Sequence, residues 1–159
     1  MENFKFRIRP HHGMCMLFFK GKGYSSEFTS HMSATITALE ADPFVRLTVG
    51  TDEICRRCPN NVDGACTTAE KTAAYDARVL ALCGFAKGAV IPYSRFRGAV
   101  LERIIIPGKR ADVCGDCEWN EVCSKAEQET VQLCDSRDGQ SERSASCGNK
   151  LSAAAQLVF

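Results

Sequence analysis

Two copies of one cysteine pattern constrain this chain more than any other feature: Cys55-x2-Cys58-x7-Cys66 and Cys114-x2-Cys117-x5-Cys123. A Cys-x2-Cys turn is tight enough to aim two sulfurs at one ion, and a third sulfur a few residues later leaves one coordination position to be filled from elsewhere. Six of the ten cysteines are thereby read as soft-metal ligands. In each copy the third cysteine runs straight into Ser/Thr-x-x-Glu, Thr67 with Glu70 and Ser124 with Glu127, the pattern of a helix capping box. Cys66 and Cys123 are therefore expected just ahead of helix N-termini, where free N–H groups favour a thiolate or an anionic cluster. The expectation is a duplicated unit of cysteine knuckle plus helix.

A disulfide framework is the competing account of so many cysteines, and it suits short secreted chains that cannot build a core. Here the apolar run nearest the start, Met14 to Phe19, is too short and too close to His11, His12 and Lys20 to be a signal-peptide core. The expected address is the reducing cytoplasm, where such spacings favour metal over disulfide. No stretch approaches membrane-spanning length, so no membrane partner is expected. A formal net charge of +1 gives no reason to expect nucleic acid as a partner either. Charge is nonetheless uneven. Arg56 and Arg57 sit inside the first Cys-x2-Cys, whereas Asp112, Asp116, Glu118 and Glu121 surround the second, so the first site is expected to have the higher reduction potential.

With 159 residues and 45% hydrophobic composition, the chain can form one domain with its own core. Phe4, Phe6 and Ile8 alternate with Lys5, Arg7 and Arg9, which predicts a strand with a basic face. Pro10 permits a short helix from His11 to Lys20, ended by Gly21-Lys22-Gly23. The spacing of Phe28, Met32, Ile36 and Leu39 predicts a helix from Ser25 or Ser26 that stops before Pro43, and Val45, Leu47 and Val49 predict a second strand. Further helices are expected over Thr67 to Cys83 with Gly84 at its C-terminal end, from near Ser94 to before Pro107 with Phe96, Val100 and Ile104 on one face, and over Ser124 to about Cys134. The fold class is thus α+β, mostly helical: a small single domain with two cysteine-knuckle metal sites and two short strands. The cysteine-rich domain is assigned to residues 1–134. Residues 135–159 are read as a disordered tail, because from Asp135 to Lys150 the composition offers too little apolar surface to offset ordering entropy.

Each triad lacks one ligand, and Pro10-His11-His12-Gly13-Met14-Cys15 is the only other dense patch of ligand-type side chains. On a helix, His11 and His12 fall four and three residues before Cys15, so either can face the same point as its sulfur. Seven cysteines and a histidine would complete two sites. The candidate metal ligands are therefore Cys15, Cys55, Cys58, Cys66, Cys114, Cys117, Cys123, His11 and His12. Cys83, Cys134 and Cys147 have no partner at ligand spacing and read as packing or surface thiols. Trp119, between Cys117 and Cys123, reads as a shield against water.

Taken together, Arg9-Pro10-His11-His12-Gly13-x-Cys15, Phe18-Phe19-Lys20-Gly21-Lys22-Gly23-Tyr24, Cys55-x2-Cys58-Pro59 and Cys114-Gly115-Asp116-Cys117-x-Trp119 resemble the small bacterial and archaeal proteins called domain of unknown function 1284. The resemblance covers about residues 6 to 124. It implies an iron–sulfur cluster and names no activity.

Pairing Cys55, Cys58, Cys114 and Cys117 around one zinc would strand Cys66 and Cys123, whereas two three-cysteine sets suit cubane clusters whose remaining iron takes a distant ligand. The expected cofactor is one or two 4Fe-4S clusters, with zinc the alternative. The expected function is a cytoplasmic iron–sulfur protein that carries or senses electrons and meets a redox partner. The rival is a zinc-stabilised module that binds protein or nucleic acid through Lys5, Arg7 and Arg9. An enzyme with Cys15 as nucleophile and His11 or His12 as base ranks last, since no substrate-binding signature accompanies the pair.

Overall fold

The computed structural model describes residues 3–135 of the chain. Residues 136–159 of the expected tail, Cys147 among them, and the Cys134 side chain lie outside the described residues. Strand β1, Phe6–Ile8, keeps Lys5 and Arg7 exposed and buries Ile8. Helices α1, His12–Leu17, and α2, Ser26–Leu39, then cross over to β2, Phe44–Leu47, which pairs parallel to β1 with Ile8 opposite Leu47. The Ser25 hydroxyl caps α2 by accepting the Phe28 N–H at 3.1 Å. The other side of β2 carries β5, Val90–Pro92, antiparallel with Val45 opposite Ile91. This third strand escaped the sequence reading because three residues ending in proline show no period of two.

Between β2 and β5 lie a tight turn at Ile54–Arg57, a two-residue hairpin of β3, Asn61–Val62, and β4, Ala65–Cys66, and helix α3, Ala69–Cys83. The hairpin turns at Asp63-Gly64, both with positive φ, and an Asp-Gly pair is the ordinary sequence signal for such a turn. Gly84 ends α3 in the left-handed conformation, φ +72, as its position after Cys83 led one to expect. Helix α4, Tyr93–Val100, continues into a wider turn over Leu101–Ile105, where the Ile106 N–H reaches back five residues to the Leu101 carbonyl at 2.9 Å. Helices α5, Arg110–Cys114, and α6, Asn120–Asp135, complete a mostly helical α+β domain. Among the described residues no helix is long and apolar enough to cross a membrane.

The core lies between the sheet and the helices: Ile8, Val45 and Leu47 from the strands meet Val79, Phe96, Val100, Ile104 and Ile105, all fully buried. Phe96, Val100 and Ile104 share a face, as their spacing predicted. A Cβ added at Gly13 would stand 2.8 Å from the Phe96 ring and 3.2 Å from a Val100 methyl, so glycine lets α1 lie directly against α4. That close seat fixes the helix bearing His12 and Cys15.

Candidate metal centre

The two Cys-x2-Cys turns are built alike. The Cys58 N–H donates to the Cys55 carbonyl at 3.1 Å, and the Cys117 N–H donates to the Cys114 carbonyl at 3.0 Å. The likeness runs three residues further, since the Asn61 N–H returns to the Cys58 carbonyl and the Asn120 N–H to the Cys117 carbonyl. There the copies part. The first chain enters the hairpin, which carries Cys66 on β4, whereas the second enters α6 at once, so Cys123 sits in its first turn.

Neither capping box forms. Helix α3 begins at Ala69 behind Thr68, with no side-chain cap, and Ser124 lies inside α6 rather than at its start. In the second box a tertiary partner claims the side chains instead: Arg110 donates to Glu127 at 3.0 Å, to Ser124 Oγ at 3.0 Å and to Asn120 Oδ1 at 3.0 Å. The expected duplicated unit of knuckle plus helix therefore reduces to a duplicated turn.

Folding brings all nine sequence-predicted ligands to one place. Cys15, Cys55, Cys58, Cys66, Cys114, Cys117 and Cys123, with His11 and His12, line a single cavity of about 370 Å3. Cys83 does not line it. The eight described cysteines are free thiols, so no disulfide competes for these sulfurs among the described residues. Trp119 stands in the wall, and Tyr24 packs edge-on against it at 5.3 Å while its hydroxyl bonds Glu118 and takes an N–H from Asn60 at 3.3 Å. Asn60 adjoins the first knuckle and Glu118 belongs to the second, so Tyr24 ties both to one wall.

Burial sets the state of the thiols. It pushes Cys15 well above the ordinary thiol range, Cys55 up to about 12 and Cys123 up to about 11, with neighbouring anionic groups adding to the effect. Cys66 goes the other way: burial opposes its charge, but the Thr68 and Thr72 hydroxyls lie 3.4 and 3.9 Å from its sulfur and bring it below the ordinary value. Protonated thiols converging on one cavity bind a metal only by releasing protons, so uptake strengthens as pH rises.

Each histidine is held by a buried carboxylate. Asp76 accepts His11 Nδ1 at 2.7 Å, and Asp52 accepts His12 Nδ1 at 2.8 Å. Burial opposes the charge on both carboxylates, yet their hydrogen bonds and His and Arg neighbours outweigh it, drawing Asp52 down to about 2 and lowering Asp76. An ionised carboxylate only accepts, so both rings carry a hydrogen on Nδ1, which leaves Nε2 as the ring atom that would meet a metal. Burial also pushes His11 down to about 4, which keeps its ring neutral.

Atoms of His12, Asp52 and Cys55 lie within 4.8 Å of one another, close enough to hold a metal. Asp52, however, is already filled: besides His12 it accepts the Arg9 N–H at 2.6 Å and the Cys55 N–H at 3.1 Å. It orients the donors His12 and Cys55 from behind the cavity wall.

Sequence reasoning passed over Asp52, Asp76 and Arg110 and set Arg9 on the exposed basic face of the first strand, whereas folding buries Arg9 against Asp76; the pairs Arg9–Asp76, His12–Asp52 and Arg110–Glu127 meet only in the fold. Arg9 is 2% exposed and binds Asp76 at 2.8 Å; Arg110 is 1% exposed and points one guanidinium nitrogen at the Cys114 sulfur, 3.8 Å away. Their positive charges face the thiols from the cavity wall. The arginines singled out from the sequence do not. Arg56 and Arg57 have side chains 70% and 57% exposed and pair outward with Glu53 and Glu27. Exchanging both for glutamine is expected to leave metal uptake unchanged and to cost at most about 1 kcal/mol each, read by metal analysis and thermal unfolding. A lost metal equivalent would show that they reach the site.

A family model described as "Protein of unknown function (DUF1284)" matches residues 23–123. That span holds both triads, and the segment Pro10 to Cys15 precedes it. No curated protein and no solved structure matches the chain.

Proposed function

The chain belongs to the DUF1284 family of proteins of unknown function, and we propose that it is an iron–sulfur-binding protein that carries or senses electrons. The observation that supports this most is the convergence of seven cysteines and two histidines, drawn from three separate stretches of chain, on one cavity. Sulfur donors in that number exceed what one tetrahedral zinc takes, and Cys66 and Cys123, which a single zinc would strand, line the same cavity. The residues fit an anionic sulfur-ligated group in a second respect, since buried Arg9 and Arg110 offset negative charge there. When bound, such a cluster supplies one-electron transfer. Cys55, Cys58 and Cys66 would hold one cluster and Cys114, Cys117 and Cys123 another, while Trp119 and Tyr24 restrict water at the wall.

Anaerobic purification followed by iron, zinc and acid-labile sulfide analysis tests the reading. Iron and sulfide in near-equal, stoichiometric amounts are the expected result. Stoichiometric zinc without sulfide would overturn it in favour of a zinc-stabilised interaction module, whose metal contributes folding energy and no redox chemistry.

A further inference from the structure

We infer that the two triads are completed by different atoms of one short helix: the Cys15 thiol closes Cys114–Cys117–Cys123, and the His12 imidazole closes Cys55–Cys58–Cys66. The assignment rests on the metal-binding reading above and gives one four-thiolate site beside one site of three thiolates and an imidazole. His12 and Cys15 lie three residues apart on α1, so both project from the same side of that helix, and α1 is pinned by the contact of Gly13 with Phe96 and Val100. Both line the cavity with the two triads, and since His12 stands within 4.8 Å of Cys55, Cys15 is the donor of α1 left for the other triad. That places Cys15 with the second triad.

His12 belongs with the first. It shares the 4.8 Å group with Cys55. Asp52 fixes its ring through Nδ1 and, through the Cys55 N–H, holds the adjacent thiol as well, so one buried carboxylate sets both donors. His11 is held similarly by Asp76 but, among the described residues, shares no such group with a thiol. Its ring packs 4.4 Å from that of His12 and edge-on to Tyr75, which makes it a positioning residue. Because an imidazole is neutral where a thiolate is charged, the His12 site has the higher reduction potential of the two.

The test uses full-length protein labelled with 15N-histidine, purified anaerobically, reduced and examined by pulsed EPR. A directly coordinated nitrogen is expected in the native protein, lost in His12→Ala and kept in His11→Ala. His12→Cys is expected to recover the metal content with no coordinated nitrogen and a lower potential, which separates ligation from folding. Full iron and sulfide with no nitrogen coupling, or coupling that survives His12→Ala, overturns the assignment and leaves the iron–sulfur reading intact. Zinc without sulfide overturns that reading instead. In that case cadmium-113 NMR judges the assignment: one S4 and one S3N resonance, the latter lost in His12→Ala, support it, and any other pair overturns it.

Discussion

Replacing Asp76 with alanine is expected to remove a large share of the protein's stability. The carboxylate is fully buried and accepts four donors: Arg9 Nε at 2.9 Å, Arg9 Nη2 at 2.8 Å, the His11 N–H at 3.1 Å and His11 Nδ1 at 2.7 Å. Removing it leaves the guanidinium of Arg9 uncompensated in the interior, which costs about 3–5 kcal/mol when one partner of a buried pair is lost. A domain of this kind has only about 5–15 kcal/mol in total. Urea unfolding of Asp76→Ala should therefore show a lower midpoint, corresponding to a loss of about 3–5 kcal/mol of stability. A loss under about 1 kcal/mol would mean that water takes the place of the carboxylate. Acid should act in the same direction. The folded pKa of His11, about 4, lies below its ordinary 6.5, so the unfolded chain binds the extra proton and stability falls as pH drops through that window. Asp76 adds a second loss below its ordinary 3.8, because its folded value is depressed and its contribution disappears as it protonates.

Exchanging Cys15 for serine is expected to cost roughly half of the bound metal, since one of two four-ligand sites loses its closing sulfur. Cys83→Ser is the matched control. Cys83 ends α3, the helix that follows Cys66; burial pushes its thiol up to about 11, and it packs on the apolar core without lining the cavity. Its exchange should cost about 1 kcal/mol of packing and no metal. Metal and sulfide analysis of the two variants side by side decides the matter. Full metal content in Cys15→Ser, with loss in Cys83→Ser, would remove the N-terminal helix from the site and with it the role assigned to His12.

The Arg110 network shows how a local signal can be present and still mislead. Ser124-x2-Glu127 is a sound capping box on paper, but a cap gains only about 1 kcal/mol, and a buried guanidinium left without acceptors would lose more. Ser124 and Glu127 therefore serve Arg110, and α6 starts four residues earlier, at Asn120. Asp63-Gly64 is the opposite case, a hairpin signal legible in the chain and passed over beside the more conspicuous cysteines.

By itself the sequence determined the parts whose cause is local. Apolar spacing gave α2 and α4, Gly84 gave the end of α3, whose start the capping box misplaced by two residues, and Cys-x2-Cys spacing gave two turns built alike, because each depends on neighbours within a few residues. It also singled out nine thiol and imidazole residues that line one cavity, since that chemistry is carried by residue type. Which donors stand together, and what charge they meet, was decided only in three dimensions. Arg9 and Asp76 are 67 residues apart, as the Arg9–Asp76 bond records, and His12 and Asp52 are 40 apart. Such pairs leave no periodic trace in a single chain, because burial and approach exist only after β1 has paired with β2 and α1 has settled on α4. The same is true of Arg56 and Arg57, which spacing put inside a knuckle and folding turned outward to Glu53 and Glu27, where water solvates their charge.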